Sequence, residues 1–189
     1  IKDGQQSLLN LSSNDYLGLA SDADLLAEFY QDMGAENRVD DYGIGVASSR
    51  LLTGDTLIAH QLEQELSALY NCESALLFNS PYHANIGILP ALYAKHDLIF
   101  SDKLNHASIH DGVRIGRAPV KRYRHRDYDQ LESMLAENRK AVSQAAIVSE
   151  SVFSMDGDCA DLKELVRLKR RYDCQLYIDE AHAIGLYGS

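Results

Sequence analysis

Short apolar runs alternate with amphipathic segments from residue 55 to residue 179 of this 189-residue chain. The runs, such as ALLF, AAIVSE and QLYID, have the length and side chains of buried strands. The segments between them carry apolar residues at helical spacing, as at Ile58, Leu62, Leu66 and Leu69. Strands that alternate with helices predict an α/β domain, in which helices flank a mostly parallel sheet.

The apolar pattern also places the boundaries of these elements. Strands are predicted at 74–78, 97–101, 120–125, 145–150 and 175–179, and helices at 55–70, 81–95, 105–116, 128–140 and 161–173. Pro90 should kink the second helix or end its first part, because proline removes an internal hydrogen bond. Asp161 and Glu164 predict a capping box at the start of the last helix.

Composition argues against several classes of partner. The formal net charge of -10 repels phosphate backbones and anionic lipid, so neither nucleic acid nor a membrane is expected to bind. The basic stretch 121–126, KRYRHR, fits the polar face of a strand at least as well as a binding patch. No run approaches the roughly 20 apolar residues of a membrane span. Three cysteines without metal-like spacing predict reduced thiols and a cytoplasmic protein.

Polar residues follow several of the predicted strands, at the point where each strand ends. They include Ser80, Asp102, the loop after Glu150, and Asp179. In parallel α/β sheets ligands bind at the carboxyl ends of the strands. The sequence therefore predicts one cleft to which all these residues contribute.

Asp179 and His182 belong to the tetrapeptide DEAH, which also occurs in nucleotide-driven helicases. Such an ATPase needs a phosphate loop of the form GxxxxGK[ST], and the sequence contains none. Two interpretations remain open on these residues alone. Asp179 could cap an ordinary turn, or it could bond the pyridinium nitrogen of pyridoxal phosphate while His182 donates to the phenolic oxygen.

Three further segments are candidate binding sites. Ser80 and Pro81 predict a capped helix start, where the N–H groups of Tyr82 and His83 could bind a phosphate; a plain helix cap is the alternative. His106 is placed to lie over a flat ring, and no metal site is expected because a third ligand is missing. Ser154 is predicted to donate a hydrogen bond to a ligand, since no GxSxG motif marks it as a nucleophile.

Six segments in the same order together resemble the α-oxoamine synthase family. They are SSNDYLGLA, ASSRLLTGDTLIAHQLEQEL, ALLFNSPYHANIGILPAL, SDKLNHASIHDGVR, ESVFSMDGDCADLKELV and YIDEAHAIGLYG. The resemblance implies a pyridoxal-phosphate enzyme of fold type I that condenses an amino acid with an acyl-CoA thioester and releases carbon dioxide. DEAH, in place of DDSH, favours a member that uses L-alanine over one that uses glycine.

The resemblance also implies residue roles. Asp179 would pair with the ring nitrogen, His182 with the phenolic oxygen, and His106 would stack on the ring. Ser154 would bond the cofactor, and Asn14 the carboxylate of the amino acid. The phosphate region would lie at Pro81, where relatives usually have Gly or Cys, and at Tyr82. A homodimer with a shared active site is implied.

The Schiff-base lysine of this family, which also acts as general base, has no counterpart among the seven lysines of this chain. The expectation is therefore a chain in which residues 1–54 form an N-terminal segment with substrate-side loops. Residues 55–189 would form the front part of the large cofactor-binding domain. A lysine-less binding or scaffold protein that keeps the fold without turnover is the alternative from another class.

Overall fold

The computed structural model describes residues 2–3, 6–7, 10–33 and 45–187. The chain divides into two compact units, Ile1–Leu77 and Phe78–Ser189. The sequence-based division at residue 54 separates segments by expected role, and it stays a prediction. Residues 34–44 of the predicted N-terminal segment lie outside the described residues. No described helix combines the length and apolarity that crossing a bilayer requires.

The described residues of the first unit form two α-helices and a pair of short strands. Strands β1 (Lys2–Asp3) and β2 (Gln6–Ser7) pair antiparallel, and helices α1 (Ala23–Met33) and α2 (Leu57–Leu69) follow. Helix α2 confirms the prediction for 55–70, whereas α1 was not predicted. Segment 12–20 is the expected loop, and it ends in a 3-10 turn at Leu19–Ser21.

Segment 45–54, the other predicted loop, packs tightly against itself. A Cβ atom at Gly54 would lie 1.9 Å from the backbone oxygen of Ser48, so only glycine fits there. The Arg50 guanidinium contacts Glu63 on α2 and bonds Asp55 at 3.0 Å. Glu63 also accepts the N–H of Leu77 at 2.8 Å. One carboxylate on α2 therefore links the loop that contains Arg50 to the segment that follows the helix.

The second unit is a parallel sheet between two pairs of helices. Its strands are β3 (Leu98–Asp102), β4 (Val120–Tyr123), β5 (Ala145–Glu150) and β6 (Gln175–Asp179). They lie in the order β4-β3-β5-β6, and every neighbouring pair is parallel. The helices are α3 (Pro81–Leu92), α4 (Ala107–Ile115), α5 (Tyr128–Asn138) and α6 (Leu162–Arg171). The predicted α/β fold is thereby confirmed.

Alternate residues of each central strand face opposite layers. Phe100 and Ile147 pack with Leu131 and Leu168 of α5 and α6. Their neighbours Ile99, Ala146 and Val148 pack on the other face, against α3 and α4. A parallel sheet needs such cover on both faces, which explains why its strands are apolar throughout.

Two elements differ from the prediction. Residues 74–78 form no strand, because a strand needs a hydrogen-bonded neighbour and none of the described strands pairs with this segment. Leu76 is accordingly 65% exposed. Pro90 lies inside α3, which ends two residues later at Leu92 rather than at 95.

Helices α3 and α4 approach closely at Gly112. A Cβ atom there would lie 2.4 Å from the backbone oxygen of Asn85 on α3, too close for any side chain. The close approach brings the inner face of α3 next to the first turn of α4, where Ser108 is buried. Gly112 therefore sets the distance between the two helices that cover this face of the sheet.

Hydrogen bonds of His125, in the loop after β4, connect the end of β3 to the loop after β5. The ring of His125 lies between Asp102, at 3.0 Å from Nδ1, and Asp158, at 3.0 Å from Nε2. Partial burial lowers the pKa of His125, but the hydrogen bonds to both carboxylates outweigh this effect and raise it. Arg126 adds an ion pair to Asp158 at 2.8 Å. His125 is thus a clamp between the end of β3 and the loop after β5.

Gly112→Ala should lower the free energy of unfolding by about 1–3 kcal/mol, because the added methyl group forces α3 and α4 apart. Urea unfolding followed by circular dichroism measures the change. Gly87→Ala in α3 is the matched control. Its Cβ would meet the ring of Phe78 at 3.2 Å, which can turn aside, so this variant should unfold at equal or higher urea concentration. Equal loss in both variants would contradict the role given to Gly112.

His125→Gln should remove a pH-dependent part of the stability. The pKa of His125 is raised on folding, so its contribution is complete below the ordinary value of 6.5 and is lost as the pH rises through the folded value. Asp158, whose pKa is lowered, loses its contribution only in acid. Urea midpoints of wild type and variant, measured between about pH 5.5 and about pH 8.5, should converge as the pH rises. A constant difference would disprove the clamp.

Candidate functional site

Acidic side chains end three of the four strands of the sheet. Glu150 ends β5 and pairs in register with Asp179, the last residue of β6, and Asp102 ends β3. Because the strands are parallel, these carboxylates lie together at the carboxyl ends of the strands, as predicted for the cleft. Hydrogen bonds to Glu150 and Asp179 fix the helix start at His106, the loop at Ser154 and the turn that holds His182.

Asp179 uses both carboxylate oxygens. Oδ1 accepts the N–H of Ala181 at 3.0 Å, which caps the following turn. Oδ2 accepts from the side-chain amide of Asn85 on α3 at 2.8 Å. Each oxygen can accept two hydrogen bonds, so the half-buried carboxylate retains capacity for another donor. The turn-capping interpretation holds, and it leaves room for the cofactor interpretation.

Asn85 connects Asp179 to two other groups. Its Nδ2 also donates to Oγ of Ser108 at 2.8 Å, and its Oδ1 accepts the hydroxyl of Tyr177 at 2.6 Å. Burial, with the charge of Asp179, raises the pKa of Tyr177 to about 12, so the phenol stays protonated and donates. Sequence analysis missed Asn85; the available signal was a polar residue one turn before Leu89 on the inner face of an apolar helix.

His106 is the N-cap of α4. Its Nδ1 accepts the backbone N–H of Ser108 at 3.2 Å and lies 2.7 Å from the Ser108 hydroxyl. An imidazole nitrogen that accepts a hydrogen bond carries no proton, so the proton of the neutral ring is on Nε2. The ring itself is exposed. Through Ser108 and Asn85, His106 belongs to the same hydrogen-bond network as Asp179.

Glu150 binds the backbone of His106 and of Ser154. Its two oxygens accept the backbone N–H groups of His106 and, at 3.3 Å, Ser154. Burial raises the pKa of Glu150, and these two N–H groups offset part of the effect. One buried carboxylate thereby fixes two of the residues predicted to bind a cofactor. The half-buried Ser154 lies in a loop closed by the Val152–Cys159 bridge.

The start of α3 matches the predicted cap. Ser80 Oγ accepts the N–H of His83 at 3.2 Å, and Pro81 occupies the first position of the helix. The cap therefore consumes one of the two donors expected for a phosphate. The N–H of Tyr82 makes no hydrogen bond to the described residues, and its hydroxyl bonds Asp111 at 2.7 Å.

The remaining two candidates stay predictions. His182 lies half-buried in the turn after Asp179. Asn14 is exposed in the first unit, where its side chain accepts the Tyr16 hydroxyl at 3.4 Å. Among the described residues, no group of three or more His, Cys, Asp or Glu side chains could hold a metal ion.

The parallel α/β domain thus carries a strand-end carboxylate, a histidine at the start of α4 and a capped helix start. Residues 6–189 match the family model described as aminotransferase class I and II, and the chain belongs to this family.

The names of individual relatives are more specific than the description of the family model. The chain is 54% identical over 188 residues to the 8-amino-7-oxononanoate synthase of Chlorobaculum parvum, covering 98% of this chain and 47% of that protein. A PLP-bound serine palmitoyltransferase from S. paucimobilis superposes with a TM-score of 0.83 at 32% identity, over 93% of this chain and 42% of that one. An 8-amino-7-oxononanoate synthase from Francisella tularensis superposes with a TM-score of 0.67 at 30% identity, over 89% of this chain and 44% of that one. These relatives are α-oxoamine synthases, which confirms the resemblance, and the chain spans about half the length of the curated relatives it matches.

Proposed function

We propose that this chain supplies the cofactor-binding edge of a pyridoxal-phosphate-dependent α-oxoamine synthase. The enzyme would condense L-alanine with a pimeloyl-type acyl-CoA thioester, release CoA and carbon dioxide, and form 8-amino-7-oxononanoate for biotin synthesis. The observation that carries the proposal is Asp179, a strand-end carboxylate fixed by two protein donors and still able to accept a third.

The residues present fit pyridoxal phosphate. Asp179 offers an anionic acceptor to a protonated ring nitrogen, the bond that such a nitrogen needs in order to stay protonated. His106 presents an exposed imidazole that projects from the start of α4. At the start of α3 the unpaired N–H of Tyr82, together with the helix dipole, suits a phosphate group.

Pyridoxal phosphate, when bound, supplies an electron sink that makes the α-hydrogen of the amino acid acidic. Asp179 holds the proton on the ring nitrogen, on which the strength of that sink depends. His106 stacks on the ring, Ser154 bonds the cofactor, and His182 donates to the phenolic oxygen. Asn14 binds the carboxylate of the amino acid. These five assignments, together with Pro81 and Tyr82 at the phosphate, are part of the proposal.

The identity of the amino donor is the sharpest test of the reaction. The identity of 52–54%, over nearly the whole chain, to relatives named 8-amino-7-oxononanoate synthase supports alanine as the amino donor. CoA release by the full-length protein should be measured with alanine, glycine and serine, using pimeloyl-, acetyl- and palmitoyl-CoA. Turnover with alanine and pimeloyl-CoA supports the proposal. A preference for glycine and acetyl-CoA would make it a 2-amino-3-ketobutyrate CoA ligase, and no turnover would favour a scaffold.

The proposal includes a homodimer with an active site shared between subunits, and a location in the cytoplasm. Cys72, Cys159 and Cys174 are free thiols in the structure, which a reducing compartment maintains. Sedimentation of the full-length protein at twice its chain mass would support the dimer.

Asp179→Asn should weaken the affinity for pyridoxal phosphate by about 10- to 100-fold, because a charge-assisted hydrogen bond becomes a neutral one. Equilibrium dialysis measures the affinity, and CoA release should fall with it. Glu180→Gln, which neutralises the exposed neighbouring carboxylate, is the matched control and should bind normally. Normal binding and turnover by Asp179→Asn would refute the role of Asp179.

His106→Ala should slow turnover while the cofactor remains bound, because the stacking ring is lost but the ring-nitrogen partner is kept. The substitution also removes a helix cap, so His106→Asn is needed beside it. Asparagine caps helices well and restores the acceptor for Ser108 without the ring. Both variants should be slow, and only His106→Ala should lose thermal stability. Wild-type turnover by His106→Asn would show that His106 serves only as a cap.

A further inference from the structure

Asn85 has a buried side-chain amide whose oxygen and both N–H groups make hydrogen bonds. It is 3% exposed, on the inner face of α3 one turn before Leu89. Asparagine is a poor helix former, and an amide buried without partners costs about 1–3 kcal/mol. Here the cost is offset, because the amide bonds Asp179, Tyr177 and Ser108 at 2.6–2.8 Å. The position is thus specified by polar partners on two neighbouring elements rather than by packing.

The orientation of this amide follows from its partners. The Tyr177 phenol is protonated and needs an acceptor, which only Oδ1 can provide. Asp179 needs a donor, and Nδ2 faces it. The hydroxyl of Tyr177 therefore prevents the amide from flipping, and it keeps an N–H directed at the carboxylate.

The second N–H of the amide reaches His106 through one hydroxyl. Ser108 Oγ accepts from Asn85 at 2.8 Å and lies 2.7 Å from Nδ1 of His106. Nδ1 accepts the backbone N–H of Ser108 and therefore carries no proton, so the Ser108 hydroxyl donates to it. The amide that contacts Asp179 thus also holds the hydroxyl that donates to Nδ1 of His106.

We propose that Asn85 is a positioning residue that orients Asp179 towards the ring nitrogen and holds the Ser108 hydroxyl against Nδ1 of His106. This inference rests on the proposed function, since it assigns Asn85 to the two groups expected to contact the cofactor ring. Asn85 itself does not touch the reacting atoms. Gly112 permits the arrangement, because any side chain there would collide with the Asn85 backbone.

The titratable groups around Asn85 and Asp179 come from several elements. Tyr177 lies on β6 beside Asp179, Glu150 ends β5, His106 begins α4, and His182 lies in the turn after β6. Asp179 and Glu150 repel each other electrostatically, and this repulsion is one cause of the raised pKa of Glu150. Replacing the neutral amide of Asn85 by a carboxylate would add a second repulsion, between that carboxylate and Asp179, at hydrogen-bond distance.

The decisive variant is Asn85→Asp in the full-length protein. It keeps the shape of the side chain but sets two carboxylates against each other, which then share one proton. The dissociation constant of pyridoxal phosphate, measured by equilibrium dialysis, should rise by about tenfold near neutral pH. The ratio of variant to wild-type constants should shrink as the pH rises, because the shared proton is lost. A merely structural role would lower the melting temperature without this pH dependence.

Tyr177→Phe is the second variant, and it keeps the test valid if Asn85→Asp does not fold. It removes only the hydroxyl that prevents the amide flip, so it should weaken binding by a smaller factor at nearly unchanged melting temperature. Asn138→Ala is the control. Its amide caps α5 by a bond to the Met134 carbonyl at 2.7 Å, on the other face of the sheet, and binding should stay at the wild-type value.

The outcomes separate this inference from the proposed function. Weaker binding by Asn85→Asp with the expected pH dependence, and by Tyr177→Phe, supports the positioning role. If wild type binds and Asp179→Asn binds weakly, while both Asn85→Asp and Tyr177→Phe match wild type, the role of Asn85 is refuted and the function stands. If Asn85→Asp does not fold, Tyr177→Phe decides alone. If wild type itself fails to bind pyridoxal phosphate, the proposed function is refuted and the positioning role falls with it.

Discussion

Hydrogen bonds from backbone N–H groups to the carboxylates at the strand ends organise the functional edge of this protein. Asp102 accepts the N–H groups of Leu104 and Arg126, Glu150 those of His106 and Ser154, and Asp179 that of Ala181. A buried carboxylate is costly unless its lone pairs are used, so each one specifies the loop that satisfies it. The positions of His106, Ser154 and the turn that holds His182 follow from two of these charges, Glu150 and Asp179.

The same edge depends on the helices that cover one face of the sheet. The absence of a side chain at Gly112 lets α3 and α4 approach until the amide of Asn85 reaches both Asp179 and Ser108. Packing and polar chemistry are therefore coupled, since a change in the helix distance alters the bonds to Asp179. On the other face, apolar contacts with α5 and α6 carry stability without contributing to the candidate site.

Much of the architecture could be predicted because its signals are local. The caps at Ser80 and Asp161 depend on neighbours three residues away, and both side chains accept the expected N–H. The capping box at Asp161 is only half formed, because the N–H of Asp161 donates to Tyr128 and Glu164 pairs with Arg167. The failures are non-local. The run SALLF has the composition of a strand, but a strand also needs a partner, which composition cannot supply. The cap that His106 forms on α4 was also not predicted, because it depends on the direction of the side chain; the position of His106 over a ring stays a prediction.

The sequence by itself determined the alternation of strands and helices, the cap residues, and the placement of Asp179, His106 and Ser154 after strands. Period and spacing are properties of the chain, and parallel order then brings strand ends together. Only the tertiary structure decided that Glu150 fixes His106 and Ser154, and that Asn85 joins Asp179 to His106. Asn85 and Asp179 are 94 positions apart, and whether a donor meets an acceptor across that distance depends on how closely α3, α4 and β6 pack.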